Sequence, residues 1–366
     1  MAIPNSLSAA SALVAIDIAS RRHHVLIQPV GKKRYRLSIT NDKTDHDRLA
    51  QHLRELGSDV IVAFEATGNY HRAIAWRMCE EGFDVRLISS VALARTREAL
   101  QNGWDKNDPR DAQVILHMLS NGLTQRYYDP LVEGINDWQE LSKTHEAVSS
   151  MKTETLHRLK THYYPLYFPE VDRFRHNSRS EWFFRWLHAF PTPGSITALS
   201  QQDFLEAAWP LLGRKVSKRA LLSDIYETAR SSVALPVDVD SAAVQMYRLV
   251  IQQMCELIRH RDAIERQAQE LLGNHPDYQR LRQLPGVGPI HALTILAEAG
   301  DLRRFAHYRQ FLKFCGFDLA THQSGRFRGQ SKLSKYGNAR LRRTFWLAGQ
   351  VAVRQRENDF RDKFVR

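Results

Sequence analysis

The chain has 366 residues, 43% of them hydrophobic and 25% charged, with a formal net charge of +12. That length gives two or three domains with ample core, while no apolar run reaches the ~18 residues of a membrane span and the N-terminal MAIPNSLSAASALVAID lacks the basic region of a signal peptide. Cys79, Cys255 and Cys315 are scattered and match neither a disulfide framework nor a zinc pattern, so a cytoplasmic protein without a membrane partner is expected.

In chain order, Leu13–Asp17 (LVAID) reads as a buried strand, followed by strands His23–Pro29 and Tyr35–Thr40 in an antiparallel meander whose second turn falls at Gly31-Lys32-Lys33. A helix over Asp45–Leu56 leads to a buried strand, Asp59–Glu65 (DVIVAFE). A helix over residues 69–81, a strand Phe83–Ser89, and helices Val91–Leu100 and Asp108–Asn121 complete a first domain, residues 10–125. Three antiparallel strands followed by alternating helices and strands give an α/β mixed sheet in the order of the ribonuclease H-like fold.

Two acids in this domain stand where a carboxylate is expensive. Asp17 closes an apolar run and needs a partner or a cation. Glu65 ends VIVAF at the carboxyl end of its strand, where open α/β sheets place their sites. Either alone also reads as a buried, hydrogen-bonded acid. Asp108 and Asp111, in WDKNDPRDA, are three apart at a helix start and share one face. Taken alone, that pair reads first as a helix cap before Pro109, because caps are far commoner than metal sites. Together the four make a hard oxygen set suited to Mg²⁺ or Mn²⁺. Two such ions about 4 Å apart clamp the attacking and leaving oxygens of a phosphodiester.

Residues 135–275 read as helical. Asn136–His162 is charged, and Pro165–Pro236 is interrupted by prolines and carries the aromatic cluster Trp182–Trp186 (WFFRW), read as core in preference to a base-stacking platform. Tyr247, Val250, Met254, Leu257, Arg261, Ile264, Ala268 and Leu271 alternate steps of three and four, which is a heptad seam. Spacing does not separate packing within one chain from a dimer seam.

Residues 278–366 read as a mainly helical C-terminal domain. It opens on LPGVGPI, where Gly286 and Gly288 allow either a tight turn with outward amides, resembling the helix-hairpin-helix DNA-binding element, or an ordinary interhelical turn. Helices His291–Ala299 and Tyr308–Phe314 follow. No acid occurs from Leu319 to Arg356, which points to a polyanion partner, nucleic acid before membrane. In the expected loops of Thr321–Arg343, the cations Arg326, Arg328, Lys332, Lys335, Arg340, Arg342 and Arg343 are interleaved with Phe327 and Tyr336, a composition suited to tracking a DNA or RNA backbone. Ser324 lies among them. Composition alone makes it a turn serine; as a nucleophile it needs activation, and His322 is the nearby base.

The aspartate of VAIDIAS, the glutamate of FEATGNY, the pair in KNDPRDA, LPGVGPIHALTILAEAGDLRRF, the FCGF…HQSG segment and SKLSKYGNARLRRTFW together resemble the DEDD transposases, insertion-sequence recombinases with a RuvC-like N-terminal domain that are related to site-specific DNA invertases. The resemblance implies that Asp17, Glu65, Asp108 and Asp111 form a metal-binding tetrad and that Ser324 attacks a DNA phosphate and holds it covalently. It also implies DNA ends and a target as substrates, a structured guide RNA encoded by the element, a coiled coil in the middle region, and composite active sites in a dimer or tetramer. Asp105 offers a shifted alternative to the helix pair, and Ser331 and Ser334 are alternatives to Ser324.

Overall fold

The structure, a computed structural model, describes residues 11–101, 108–175, 180–213, 217–320, 323–324 and 327–365. The chain divides into two compact units, residues 1–136 and 137–366.

The N-terminal unit is built on strands β1 (Ala12–Asp17), β2 (Arg22–Gln28), β3 (Tyr35–Thr40), β4 (Val60–Glu65), β5 (Asp84–Ile88) and β6 (Gln125–Arg126), with helices α1 (Lys43–Arg54), α2 (Arg72–Glu80), α3 (Ser90–Gln101) and α4 (Asp108–Ser120). The sheet order is β3-β2-β1-β4-β5-β6. β1, β2 and β3 pair antiparallel, β1, β4 and β5 pair parallel, and β6 returns antiparallel to β5. This is the ribonuclease H-like order. β6 escapes sequence reading because two exposed residues carry no period.

Alternation along the strands divides the unit into two cores. Val14, Ile16, Val25, Ile27, Val62 and Phe64 face one side with Leu49, Leu53, Ile74 and Met78 from α1 and α2. Ala15, Leu26, Ile61 and Ala63 face the other side with Leu93 of α3 and Val114, Ile115, Met118 and Leu119 of α4. Each buried Val, Leu, Ile, Phe or Met among them contributes about 1.5–3 kcal/mol, so docking on β1, β2 and β4 fixes where α4 lies. Helix α1 starts two residues earlier than its apolar period predicts, because Asp42 is the cap and accepts the Asp45 N–H at 2.9 Å.

The C-terminal unit is helical. Helix α5 (Asn136–Arg158) runs through one π-helical turn into α6 (Tyr164–Tyr167), and α7 (Glu181–Ala189), α8 (Pro193–Thr197), α9 (Gln201–Ala208) and α10 (Lys218–Arg230) precede the long α11 (Ala242–Leu272). After it come α12 (Pro276–Arg282), α13 (Pro289–Ala299), α14 (Tyr308–Cys315), α15 (Ala339–Ala352) and α16 (Asp359–Val365). Between α14 and α15, β7 (Leu319–Ala320) pairs with β10 (Lys332–Leu333), and β8 (Gln323–Ser324) pairs with β9 (Phe327–Arg328), both antiparallel. Where loops were expected, two short ladders form.

The heptad seam is shared between two cores. Tyr247, Val250 and Met254 sit in the aromatic core of Phe183, Phe184 and Trp186, so WFFRW is core. Ala268 and Leu272 sit with Leu293, Leu296 and Leu341 in a second core. Leu271, the last seam position, is exposed. Among the described residues no helix is long and apolar enough to cross a membrane.

Candidate active site

Asp17 and Glu65 terminate neighbouring parallel strands. The β1–β4 ladder ends on Ile16 opposite Phe64, which leaves Asp17 and Glu65 side by side one residue further on. Because side chains alternate, both share the face of Ala15 and Ala63, the face that α4 covers. The row extends beyond them: His24 is opposite Asp17 on β2, and Ser38 is opposite His24 on β3.

Asp111 reaches this region from the first turn of α4. It is 3% exposed, and its Oδ1 lies 2.7 Å from Nε of Arg97 on α3. The two atoms meet by charge without hydrogen-bond alignment, since neither has a hydrogen-bond partner among the described residues. Sequence gave no signal for Arg97, because its meeting with Asp111 depends on how α3 and α4 pack. The side chain of Asp108, and Asp105 altogether, lie outside the described residues.

Asp17 and Glu65 therefore stand side by side at the sheet edge, and Asp111 lies in the first turn of the helix that covers their face. Among the described residues, no three His, Cys, Asp or Glu side chains stand close enough to hold a metal ion. Asp111 is instead paired with Arg97. The donor set of carboxylate oxygens nevertheless fits a hard divalent cation.

The basic residues of the C-terminal unit divide into two groups. Arg340 is spent internally: Nε meets Glu146 at 2.7 Å, Nη2 meets Ser142 at 3.1 Å, and Nη1 bonds Glu298. Arg342 donates to the carbonyls of Cys315 and Lys335, both at 3.2 Å, and so pins the loop before α15 onto the end of α14. Lys332, Lys335 and Arg343 are exposed, Arg343 standing 3.5 Å from Glu146. Arg326 and His322, and the side chains of Ser324 and Arg328, lie outside the described residues. Of the alternative serines, Ser331 is exposed, whereas Ser334 donates its N–H to Asp318 at 2.7 Å and has a shielded hydroxyl.

Gly286 and Gly288 differ in what they are for. At Gly286, φ is +80° and a Cβ would lie 2.0 Å from the carbonyl oxygen of Ala348, so this glycine lets the turn approach α15. Gly288 is the N-cap of α13 and borders open space.

The fold and its carboxylate edge define a ribonuclease H-like protein with an appended helical unit. A DEDD transposase model of the IS110 type matches residues 14–168, and the model described as "Transposase IS116/IS110/IS902 family" matches residues 278–364. The chain belongs to this family of insertion-sequence transposases. It is 32% identical over 136 residues to the transposase for insertion sequence element IS1111A of Coxiella burnetii, a match covering 35% of this chain and 37% of that protein's length. It is 22% identical over 361 residues to the insertion element IS116 uncharacterized 44.8 kDa protein of Streptomyces clavuligerus, covering 96% of this chain and 87% of the relative. A solved structure of T. thermophilus RuvC in complex with Holliday junction substrate aligns with 32% of this chain and 99% of its own, at 12% identity and a TM-score of 0.23.

Proposed function

We propose that this chain cuts and rejoins DNA at the ends of its own insertion element and at a target, through a covalent phosphoserine intermediate. What supports this reading is the adjacency of Asp17 and Glu65 at the ends of neighbouring strands, under the helix that carries Asp111, in a chain with matches to transposases at both ends. Asp17, Glu65, Asp108 and Asp111 would hold Mg²⁺ or Mn²⁺. When bound, the metal supplies Lewis-acid stabilisation of charge on the attacking and leaving oxygens.

Ser324, from the C-terminal unit of the same or another subunit, is the nucleophile. Its Oγ forms a bond to phosphorus as the bond from phosphorus to the 3′ oxygen breaks. The seryl proton passes to water and the departing 3′ oxygen takes one up, so protons balance. Lys332, Lys335 and Arg343, with Arg326 and Arg328, hold the phosphate backbone. A structured RNA encoded by the element selects the DNA, and the working form is a dimer or tetramer.

The test is incubation of the full chain with element-end DNA in Mg²⁺ or Mn²⁺. Ser324→Ala should abolish covalent protein–DNA adducts and leave binding intact, and Asp17→Asn should abolish cleavage. Cleavage that survives Ser324→Ala and never yields an adduct would replace this reading with a metal-dependent nuclease using water. Adducts that vanish only in Ser331→Ala or Ser334→Ala would move the nucleophile. RNA recovered with the protein from its native element should be one defined species from the flanking noncoding DNA.

A further inference from the structure

We infer that the β2–β3 ribbon of the N-terminal unit is a DNA-backbone track leading to the carboxylate edge. This rests on the reading of that edge as the place where DNA strands are cut. From Ile18 to Asn41 the chain has no acidic residue and carries Arg21, Arg22, Lys32, Lys33, Arg34 and Arg36. All six are exposed, and among the described residues none forms an ion pair.

The contrast within the same unit is sharp. Arg48 pairs with Asp45, Arg77 with Asp47, and Arg86 with Asp84. An ordinary solvated face interleaves both signs in this way. A second ordinary role for such charges is to guard an open sheet edge, and β3 is the edge strand. That role does not account for Arg21 and Arg22, which lie at and just before the start of the interior strand β2.

Register places the cations relative to the site. Arg22 is opposite Thr40 and Arg36 opposite Leu26, two residues either side of the rung on which Ser38, His24 and Asp17 align. Arg22 and Arg36 therefore share the face that carries Asp17 and Glu65. Lys32, Lys33 and Arg34 continue the line into the turn at the far end of the ribbon. Seven residues of strand span about 23 Å, the axial length of about seven base pairs at ~3.4 Å each. A strand held at the carboxylates thus has a cationic path of matching length beside it. DNA is the occupant because the track starts where DNA is cut.

The test is fluorescence anisotropy of the full chain with a labelled random-sequence DNA duplex in EDTA, across a salt series, and with an RNA duplex of equal length. Each phosphate contact contributes about 0.9 to the slope of log K against log salt. The Arg22→Gln/Arg36→Gln and Lys32→Gln/Lys33→Gln pairs should each lower the DNA slope by about 1.8, with thermal melting unchanged. A slope unaltered in both pairs, or lowered for RNA alone, would overturn the inference. Asp17→Asn should keep the wild-type slope; if it still cleaves in Mg²⁺, the carboxylate reading fails while the ribbon result stands separately.

Discussion

Nε of Arg97 and Oδ1 of Asp111 lie 2.7 Å apart in the interior of the N-terminal unit, with side chains 16% and 5% exposed. A carboxylate so placed must be paired or must bind a cation. In this structure Arg97 holds the charge that the proposed active site needs at Asp111.

Removal of Arg97 leaves that carboxylate unpaired. Arg97→Ala should destabilise the metal-free protein by on the order of 3 kcal/mol, because a broken buried pair strands a charge. Adding Mn²⁺ should recover more of the melting temperature in the variant than it adds to the wild type. Equal melting temperatures for both proteins in EDTA would show that the pair contributes nothing.

Arg340 joins Glu146, Glu298 and Ser142, and Glu298 also accepts from Asn338 at 2.6 Å. Three helices, α5, α13 and α15, meet through this one side chain. Arg340→Ala should cost about 2–3 kcal/mol of stability and leave the salt slope of DNA binding unchanged, whereas Lys332→Gln should lower that slope by about 0.9 at constant stability. Chemical denaturation and a salt titration on both variants separate the two roles.

The two glycines of LPGVGPI should respond in opposite ways. Gly286→Ala combines a positive φ with a clash against backbone of α15, and a strained position of this kind costs on the order of 1–3 kcal/mol before any repacking. Gly288→Ala, at φ −80° with nothing near its Cβ, should stay within about 0.5 kcal/mol of wild type. Denaturant melts of both variants check this, and comparable losses would remove close packing as the reason for Gly286.

His23 and His46 are buried and stacked, with ring centroids 5.8 Å apart. Burial pushes both imidazoles below the ordinary value of 6.5. The unfolded chain therefore takes up protons below about pH 6.5 that the folded unit refuses. Stability is fully present above that pH and falls as pH drops, by up to about 1.4 kcal/mol per pH unit for each histidine, until the folded pKa is reached. A urea-melt series from pH 7.5 to about 5 should show the decline, and His46→Phe should make it shallower, leaving the contribution of His23.

Sequence alone determined the first five strands and the two acids at the ends of β1 and β4, because period-two alternation and a carboxylate closing an apolar run are local facts. Asp17 and Glu65 were legible for that reason. Likewise the exposure of Lys332 and Lys335 follows from charge and glycine-broken chain. Tertiary structure alone decided the partners. Arg340 and Arg342 look the same in sequence as Arg343, yet the first two are consumed by Glu146, Glu298 and backbone carbonyls, since only the packing of α15 brings those acceptors within reach. The seam of α11 is divided between two cores for the same reason: a heptad repeat fixes which residues share a face, and the elements that cover that face come from elsewhere in the chain. Periodicity is written in neighbours along the chain, whereas charge pairing depends on neighbours in space.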